Sequence, residues 1–291
     1  MGQSTANALH PLVPERIHPV FAASGACTVV LFMVSAAAVE PVRRPGRAVS
    51  NLMSSLVCLC LILYVIMELT WYGQSCFSVH VAGKQLLFDP FITGNPKASH
   101  IDVHQIEADY ILVSHGHGDH VGDLVSIAKR TGAQVIAAFE VANWAQAQGV
   151  EKVHGMNFGS YDFPFGRVSF VPAWHSSALP DGSYGGNPGG FVVQTEDGNF
   201  YYSGDTCLML DMQLIPHYAK VDFAVMPIGG NYTMDVRDAV KAAEFVQTDK
   251  VVGVHYDTFP VIEIDKEKAK NIFKQAGKEL LLTEIGGIIR L

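Results

Sequence analysis

The stretch YILVSHGHGDH, residues 110–120, joins an apolar run to a dense cluster of histidine and aspartate. Its first four residues are apolar and rich in β-branched and aromatic types, which predicts a buried strand. Gly116 and Gly118 follow, and their missing Cβ atoms favour a tight turn that aims neighbouring side chains at one point. The stretch therefore predicts a strand, a glycine-rich loop and the start of a helix.

The polar side chains of this loop are suited to binding metal. His115 and His117 lie two residues apart, so in an extended segment they face the same side. Asp119 and His120 follow where the chain turns into the helix, and they can point to a neighbouring spot. Neutral imidazoles and a carboxylate suit zinc, and also iron or manganese. One short loop can therefore serve two adjacent ions.

Three further candidate ligands stand where later predicted strands end. His175 ends RVSFVPAWH, Asp205 follows NFYYSG, and His255 ends KVVGVH. Ligand sites in sheet-built enzymes gather at one edge of a sheet. We therefore expect these three side chains to lie beside the loop at residues 115–120.

Strands and helices continue from the loop in both directions. Three apolar runs precede it, ELTWY, CFSVHV and KQLLFD, and glycines between them predict hairpin-linked strands. Beyond the loop, strands alternate with helices, which are predicted over 123–131, 140–148, 208–218, 236–246 and 266–275. Asp235 is a suitable N-cap for the fourth of these helices. The alternation predicts one α/β domain with mixed sheets over residues 67–291.

The chain from Met67 onward resembles the metallo-β-lactamase superfamily. The loop matches the superfamily's H-x-H-x-D-H motif, and GQSCF, LLFDPF and PIGGNYTMD are similar to a group of poorly characterised bacterial metal-dependent hydrolases. That group is related to the L-ascorbate 6-phosphate lactonases and, more distantly, to N-acyl-phosphatidylethanolamine phospholipase D. The resemblance implies an α/β (α+β) fold, a four-layer αββα sandwich of two mixed sheets flanked by helices.

The resemblance also implies a set of metal ligands. One divalent ion would be held by His115, His117 and His175 and the other by Asp119, His120 and His255, with Asp205 bridging them. Zinc is the favoured metal, with manganese or iron as alternatives. Two ions about 3.5–4 Å apart can share a hydroxide and polarise the oxygen of the bond that it attacks. Asp119 and Asp205 are then the expected catalytic carboxylates.

Three more residues are candidates for supporting roles. Asp89, at the end of KQLLFD, is our candidate for orienting a ligand imidazole. A simple turn before Pro90 explains it equally well. Asn231 and Tyr232 are candidates for contacting substrate or stabilising an oxyanion. A loop that only caps the next helix is the alternative for this pair.

Residues 1–66 differ from the rest of the chain. Residues 20–39 form a run of twenty without a charge, long enough to cross a bilayer, and 52–67 form a second run of sixteen. Three arginines lie between the runs, which favours a membrane hairpin with a cytoplasmic loop. The alternative is that translation starts at Met67 and leaves a cytoplasmic domain of 225 residues. We favour this second interpretation.

Composition limits the classes of function. Residues 67–291 hold 16 basic and 26 acidic side chains, and no basic run appears, so a nucleic-acid partner is not expected. Three of the five cysteines precede Met67, so there is no disulfide framework, although a pair between Cys76 and Cys207 stays open.

The leading hypothesis is a hydrolase that attacks an ester, a lactone or a phosphodiester in a small molecule. A superfamily nuclease acting on RNA is the first alternative. The second is a diiron redox enzyme, but the superfamily's reductases carry glutamate at the position of His117 and an added flavin domain. A membrane-anchored, non-enzymatic metal-binding protein is the third, and association with a membrane is expected only if residues 1–66 are an anchor. A homo-oligomer stays open.

Overall fold

Two seven-stranded sheets face each other in the computed structural model, which describes residues 67–291. The leader or anchor expected over residues 1–66 lies outside the described residues. The alternative start at Met67 concerns the same segment and stays a prediction. Within residues 67–291, no helix is both long enough and apolar enough to cross a membrane.

The first sheet has the strand order β14-β1-β2-β3-β4-β5-β6. Its first four strands in that order pair antiparallel, and the pairs from β3 to β6 are parallel. The strands are β1 Glu68–Gly73, β2 Cys76–Val81, β3 Lys84–Phe88, β4 Tyr110–Val113, β5 Gln134–Ala138, β6 Val153–Met156 and β14 Ile288–Arg290.

The second sheet has the order β13-β12-β11-β10-β9-β8-β7. Strands β7 to β10 form an antiparallel meander, and β10 to β13 pair in parallel. Its strands are β7 Gly159–Phe163, β8 Gly166–Pro172, β9 Gly189–Thr195, β10 Gly198–Tyr202, β11 Phe223–Pro227, β12 Lys250–Val254 and β13 Glu279–Leu281. Both sheets are thus mixed, as expected.

Helices flank the two sheets. They are α1 Gly118–Val121, α2 Leu124–Thr131, α3 Phe139–Ala147, α4 Ile215–Tyr218, α5 Val236–Phe245 and α6 Lys266–Gln275. α3 packs against β5 and β6 of the first sheet, whereas α5 and α6 pack against β11 and β13 of the second and against each other. Asp235 caps α5 as predicted, because its side chain accepts hydrogen bonds from the N–H groups of Arg237 and Asp238. The predicted α/β sandwich of two mixed sheets flanked by helices is confirmed.

Some elements differ from the prediction. The single helix expected over 208–218 is wrong: a 3₁₀-helix, Leu210–Leu214, is followed by the short α4. Pro216 lies in the first turn of α4 and has no N–H group to donate, so one α-helical hydrogen-bond ladder cannot run through it and the segment divides there. Strands β6 and β7 were not predicted, because several of their residues are exposed and give no apolar alternation. Cys76 and Cys207 are both free, so the open pairing between them is not formed.

An aromatic cluster joins the two sheets. Phe88 of β3 stacks on Phe77 of β2, with ring centroids 4.5 Å apart. Its edges meet three rings of the opposite sheet, Phe191, Phe200 and Tyr202, with centroids 5.7–6.2 Å away. All five side chains are fully buried. The cluster therefore holds the two sheets face to face close to the ends of β3 and β10.

Replacing Phe88 tests this packing. Because Phe88→Ala would leave a cavity among rings from both sheets, we expect the free energy of unfolding to fall by about 3–5 kcal/mol in denaturant titration. The control is Ile288→Ala on β14, a residue that is 54% exposed, and there the change should stay within about 0.5 kcal/mol. A loss at Phe88 no larger than the loss at the control would contradict the packing.

Candidate metal centre

The loop at residues 114–120 has the local structure that the sequence predicts. β4 ends at Val113, and α1 begins at Gly118 with His117 as its N-cap residue. A Cβ at Gly116 would come within 3.2 Å of the Leu179 side chain and 3.4 Å of Gly185 Cα, so a larger residue would crowd both neighbours. A Cβ at Gly118 would meet nothing within 4 Å, and the predicted steric need for glycine at that position is therefore wrong.

Three imidazoles form what we call the first triplet: His115, His117 and His175. One ligand atom from each lies within 4.8 Å of the others. His115 Nε2 is 2.9 Å from His117 Nδ1, and the His175 ring centroid is 5.0 Å and 5.1 Å from theirs. His175 stands three residues beyond β8. The predicted convergence of a strand-end histidine on the loop is therefore present.

The second triplet consists of Asp119, His120 and His255, whose ligand atoms are also within 4.8 Å of one another. Asp119 Oδ2 lies 3.6 Å from His120 Nε2 and 3.9 Å from His255 Nε2. His255 directly follows β12 and has a left-handed backbone with φ of 55°. Such a backbone is uncommon in a residue other than glycine and persists where surrounding contacts enforce it.

Asp205 lies between the two triplets. Its Oδ2 atom is 2.9 Å from His255 Nε2, 3.2 Å from His120 Nε2 and 3.8 Å from His175 Nε2. The carboxylate is 3% exposed. One buried oxygen thus faces nitrogens of both triplets, which is the arrangement that a bridging ligand requires.

The protonation of these side chains depends on their burial and on the charges of their neighbours. Burial lowers the pKa of His115 well below the usual value for histidine, and it also lowers the pKa of His175. For His120, burial opposes protonation, but the carboxylates around it raise its pKa well above the usual value. Burial likewise opposes ionisation of Asp205, yet the imidazoles of His255 and His120 hold its pKa well below the usual value. A cation that binds His120 Nε2 would therefore have to displace a proton.

The donor set fits a divalent metal. His120 Nε2 is buried and has no aligned hydrogen-bond partner among the described residues, and His115 Nε2 and His117 Nδ1 face each other. Without a cation, a buried polar atom with no partner costs free energy. Several imidazoles and two carboxylates converging on one buried place are the donors that zinc, manganese and iron take from proteins.

Asp89 makes the contacts expected of an orienting carboxylate. Its Oδ2 atom accepts hydrogen bonds from His120 Nδ1 at 2.8 Å, Ser114 Oγ at 2.5 Å and Tyr202 Oη at 2.5 Å, and its Oδ1 atom accepts from the Ser114 N–H at 2.7 Å. Asp89, His115 and His120 also lie close enough to form a third triplet of donors. Because both oxygens of Asp89 are already engaged, we assign it to holding His120 rather than to metal binding.

Comparison with known proteins shows the family to which the chain belongs. The model described as beta-lactamase superfamily domain matches residues 84–256, more than half of the chain. The chain belongs to the beta-lactamase superfamily. A relative from Christiangramia forsetii, a UPF0173 metal-dependent hydrolase, is 50% identical over 227 residues, which are 77% of this chain and all of the relative. A second one, from Methanopyrus kandleri, is 43% identical over 218 residues, or 74% of this chain and 94% of that protein.

Solved structures of the superfamily share the fold. Igni18, described as a novel metallo hydrolase from Ignicoccus hospitalis, has 31% sequence identity and a TM-score of 0.70, and it covers 78% of this chain and 99% of its own. The present chain is accordingly a metal-dependent hydrolase of this superfamily, as expected. The narrower relation to L-ascorbate 6-phosphate lactonases stays a prediction.

A turn of the first sheet contacts this superfamily site in a way that the sequence did not predict. Gln74, between β1 and β2, donates from Nε2 to Asp119 Oδ2 at 2.9 Å. The neighbouring Ser75 Oγ lies 3.5 Å from Asp205 Oδ1. Tyr202, which holds Asp89, was likewise missed. The sequence pattern does not indicate a role for any of the three, because each lies in or beside an apolar strand and its hydrogen-bond partner is far away in sequence.

The site opens into a cavity of about 480 Å³. Besides five residues of the centre, Ser176, Tyr232 and Phe259 line it. Tyr232 is 57% exposed and follows Asn231, whose backbone φ is 59°. Of the two residues predicted to contact substrate, Tyr232 lines the cavity and Asn231 does not.

Asp89→Asn tests the orienting contact. An amide nitrogen in place of Oδ2 cannot accept from His120, Ser114 and Tyr202, so we expect metal affinity to fall by about 10- to 100-fold in calorimetric titration. Asp109→Asn is the matched control, since Asp109 pairs with Lys84 at a site where both side chains are about 40% exposed. Unchanged affinity in Asp89→Asn protein would show that the contact does not serve the metal.

Proposed function

We propose that the protein is a dinuclear metallohydrolase that cleaves an ester, a lactone or a phosphodiester bond in a small molecule. The observation that supports it most directly is Asp205 Oδ2, which faces ring nitrogens of both triplets within 3.8 Å. Each triplet would hold one divalent ion, and Asp205 would touch both. The imidazole-rich donor set favours zinc, with manganese or iron as alternatives.

The protein's own residues prepare the reaction. Bound ions would supply a water molecule of lowered pKa and would polarise the substrate oxygen. Asp89 holds His120 so that its Nε2 faces Asp205, and Asp205 fixes the spacing of the two triplets. Asp119 is 28% exposed at the cavity, so it is the carboxylate best placed to accept a proton there. No side-chain nucleophile is required.

The cavity wall favours one part of the proposed substrate class. Tyr232 and Phe259 offer aromatic surface, and Ser176 offers a hydroxyl group. Among the described residues that line the cavity there is no lysine or arginine to pair with a phosphate. An uncharged ester or lactone that carries an apolar group therefore suits the wall better than a phosphodiester does.

His117→Ala tests the proposed activity. Purified protein loaded with zinc, manganese or iron is assayed against matched panels of esters, lactones and phosphodiesters. We expect metal-dependent turnover that falls at least about 10²-fold in His117→Ala. The variant lacks one ligand of the first triplet, so the ion that this triplet would hold no longer stabilises charge at the reacting bond. His104→Ala, an exposed histidine in a 3₁₀-helix, should match the wild type. Turnover that survives a chelator, or that His117→Ala leaves unchanged, would refute the proposal.

Tyr232 variants test the substrate contact. If the ring binds the apolar part of the substrate in ground and transition states alike, Tyr232→Ala raises KM and leaves kcat nearly unchanged. Tyr232→Phe keeps the ring and should behave as wild type. A fall in kcat in both variants would instead assign the role to the hydroxyl group.

A further inference from the structure

The turn between β1 and β2 touches the candidate metal centre at three points. Gln74 Nε2 donates to Asp119 Oδ2 at 2.9 Å, and the Gln74 carbonyl accepts the N–H of His255 at 3.0 Å. Ser75 Oγ lies 3.5 Å from Asp205 Oδ1. The turn thus contacts two members of the second triplet and the carboxylate between the triplets.

Gln74 is held in place at an energetic cost. It is fully buried, and its backbone φ of 50° lies in the left-handed region. Its Oε1 atom is buried and has no hydrogen-bond partner within residues 67–291. Strained backbone and an unpaired amide oxygen both destabilise a fold. The side-chain hydrogen bond of this residue is the contact of Nε2 with Asp119.

The contact is one-sided. Asp119 Oδ2, the oxygen that receives the Gln74 N–H, is the same atom that faces His120 and His255. Gln74 makes no hydrogen bond to the three histidines of the first triplet within the described residues. Two of those histidines have other hydroxyl contacts: Ser176 Oγ lies 3.3 Å from His117 Nε2, and Ser114 Oγ lies 3.0 Å from His115 Nδ1.

We propose that Gln74 is a positioning residue that sets the metal affinity of the second triplet and leaves that of the first triplet unchanged. Its N–H group would fix the rotamer of Asp119, whose side chain is 28% exposed at the cavity. Loss of such an orienting contact typically lowers metal affinity 10- to 100-fold, and we expect about this change. The inference rests on the proposed function only in that both triplets bind metal.

The test isolates each triplet in the full chain. In a His117→Ala protein only the second triplet is complete, and in a His255→Ala protein only the first. Zinc affinity is measured by competition with a chromophoric chelator, with and without Gln74→Met. Methionine keeps the length and volume of glutamine but has no N–H donor. We expect Gln74→Met to lower the affinity of the His117→Ala protein about 10-fold or more and to leave that of the His255→Ala protein unchanged.

Two controls separate positioning from packing. Gln247→Met makes the same substitution at an exposed glutamine with the same backbone conformation, φ of 57°, and it should change neither affinity. The metal-free Gln74→Met protein should unfold near the denaturant concentration of the wild type, because the lost hydrogen bond to the partly exposed Asp119 is offset by removal of a buried amide oxygen without a partner among the described residues. Weaker zinc binding without loss of stability is a result that a purely structural role would not produce.

The outcomes are distinguishable. If neither single-triplet protein nor the wild type binds zinc, manganese or iron, the proposed function itself fails. If the wild type binds metal and Gln74→Met weakens both triplets equally, or weakens neither, only the role of Gln74 is overturned. The same holds if the affinity loss is accompanied by an equal loss of stability in the metal-free protein.

Discussion

The Asp89 carboxylate is the interaction on which the candidate centre depends. It follows β3, holds the start of the loop through Ser114, and reaches Tyr202 at the end of β10 in the opposite sheet. Its fourth hydrogen bond fixes His120. Asp89 itself has a left-handed backbone, with φ of 42°, a conformation that costs about 1–3 kcal/mol and persists only where surrounding contacts enforce it. One buried carboxylate therefore joins the two sheets to the site.

The two-sheet architecture explains why the donors meet. Strands β4, β8, β10 and β12 come from both sheets, and each is followed within three residues by a donor. Phe88 and its aromatic partners pack the two sheets against each other near these strand ends. Three of the seven non-glycine residues with positive φ in the described part of the chain, Gln74, Asp89 and His255, lie at this edge. The rigid sheets hold conformations that isolated loops would not adopt.

The sequence predicts much of this arrangement, for physical reasons that also set its limits. Apolar runs identify strands, and ligand sites in sheet-built enzymes gather at strand ends, so the order of residues leads to the expectation that His175, Asp205 and His255 lie beside the loop. It does not place Gln74, because the role of that residue depends on a hydrogen bond across 45 residues and on a turn conformation that its residue type does not indicate. Strand β7 escaped prediction because most of its residues are exposed.

The central claim is that two ions bind, one at each triplet, with Asp205 between them. Anomalous X-ray scattering at the zinc edge, from crystals of the zinc-loaded protein, tests it most directly. The account predicts two peaks per chain, one against His115, His117 and His175 and one against Asp119, His120 and His255, with the Asp205 carboxylate touching both. A single peak, or a second peak away from these residues, would contradict it.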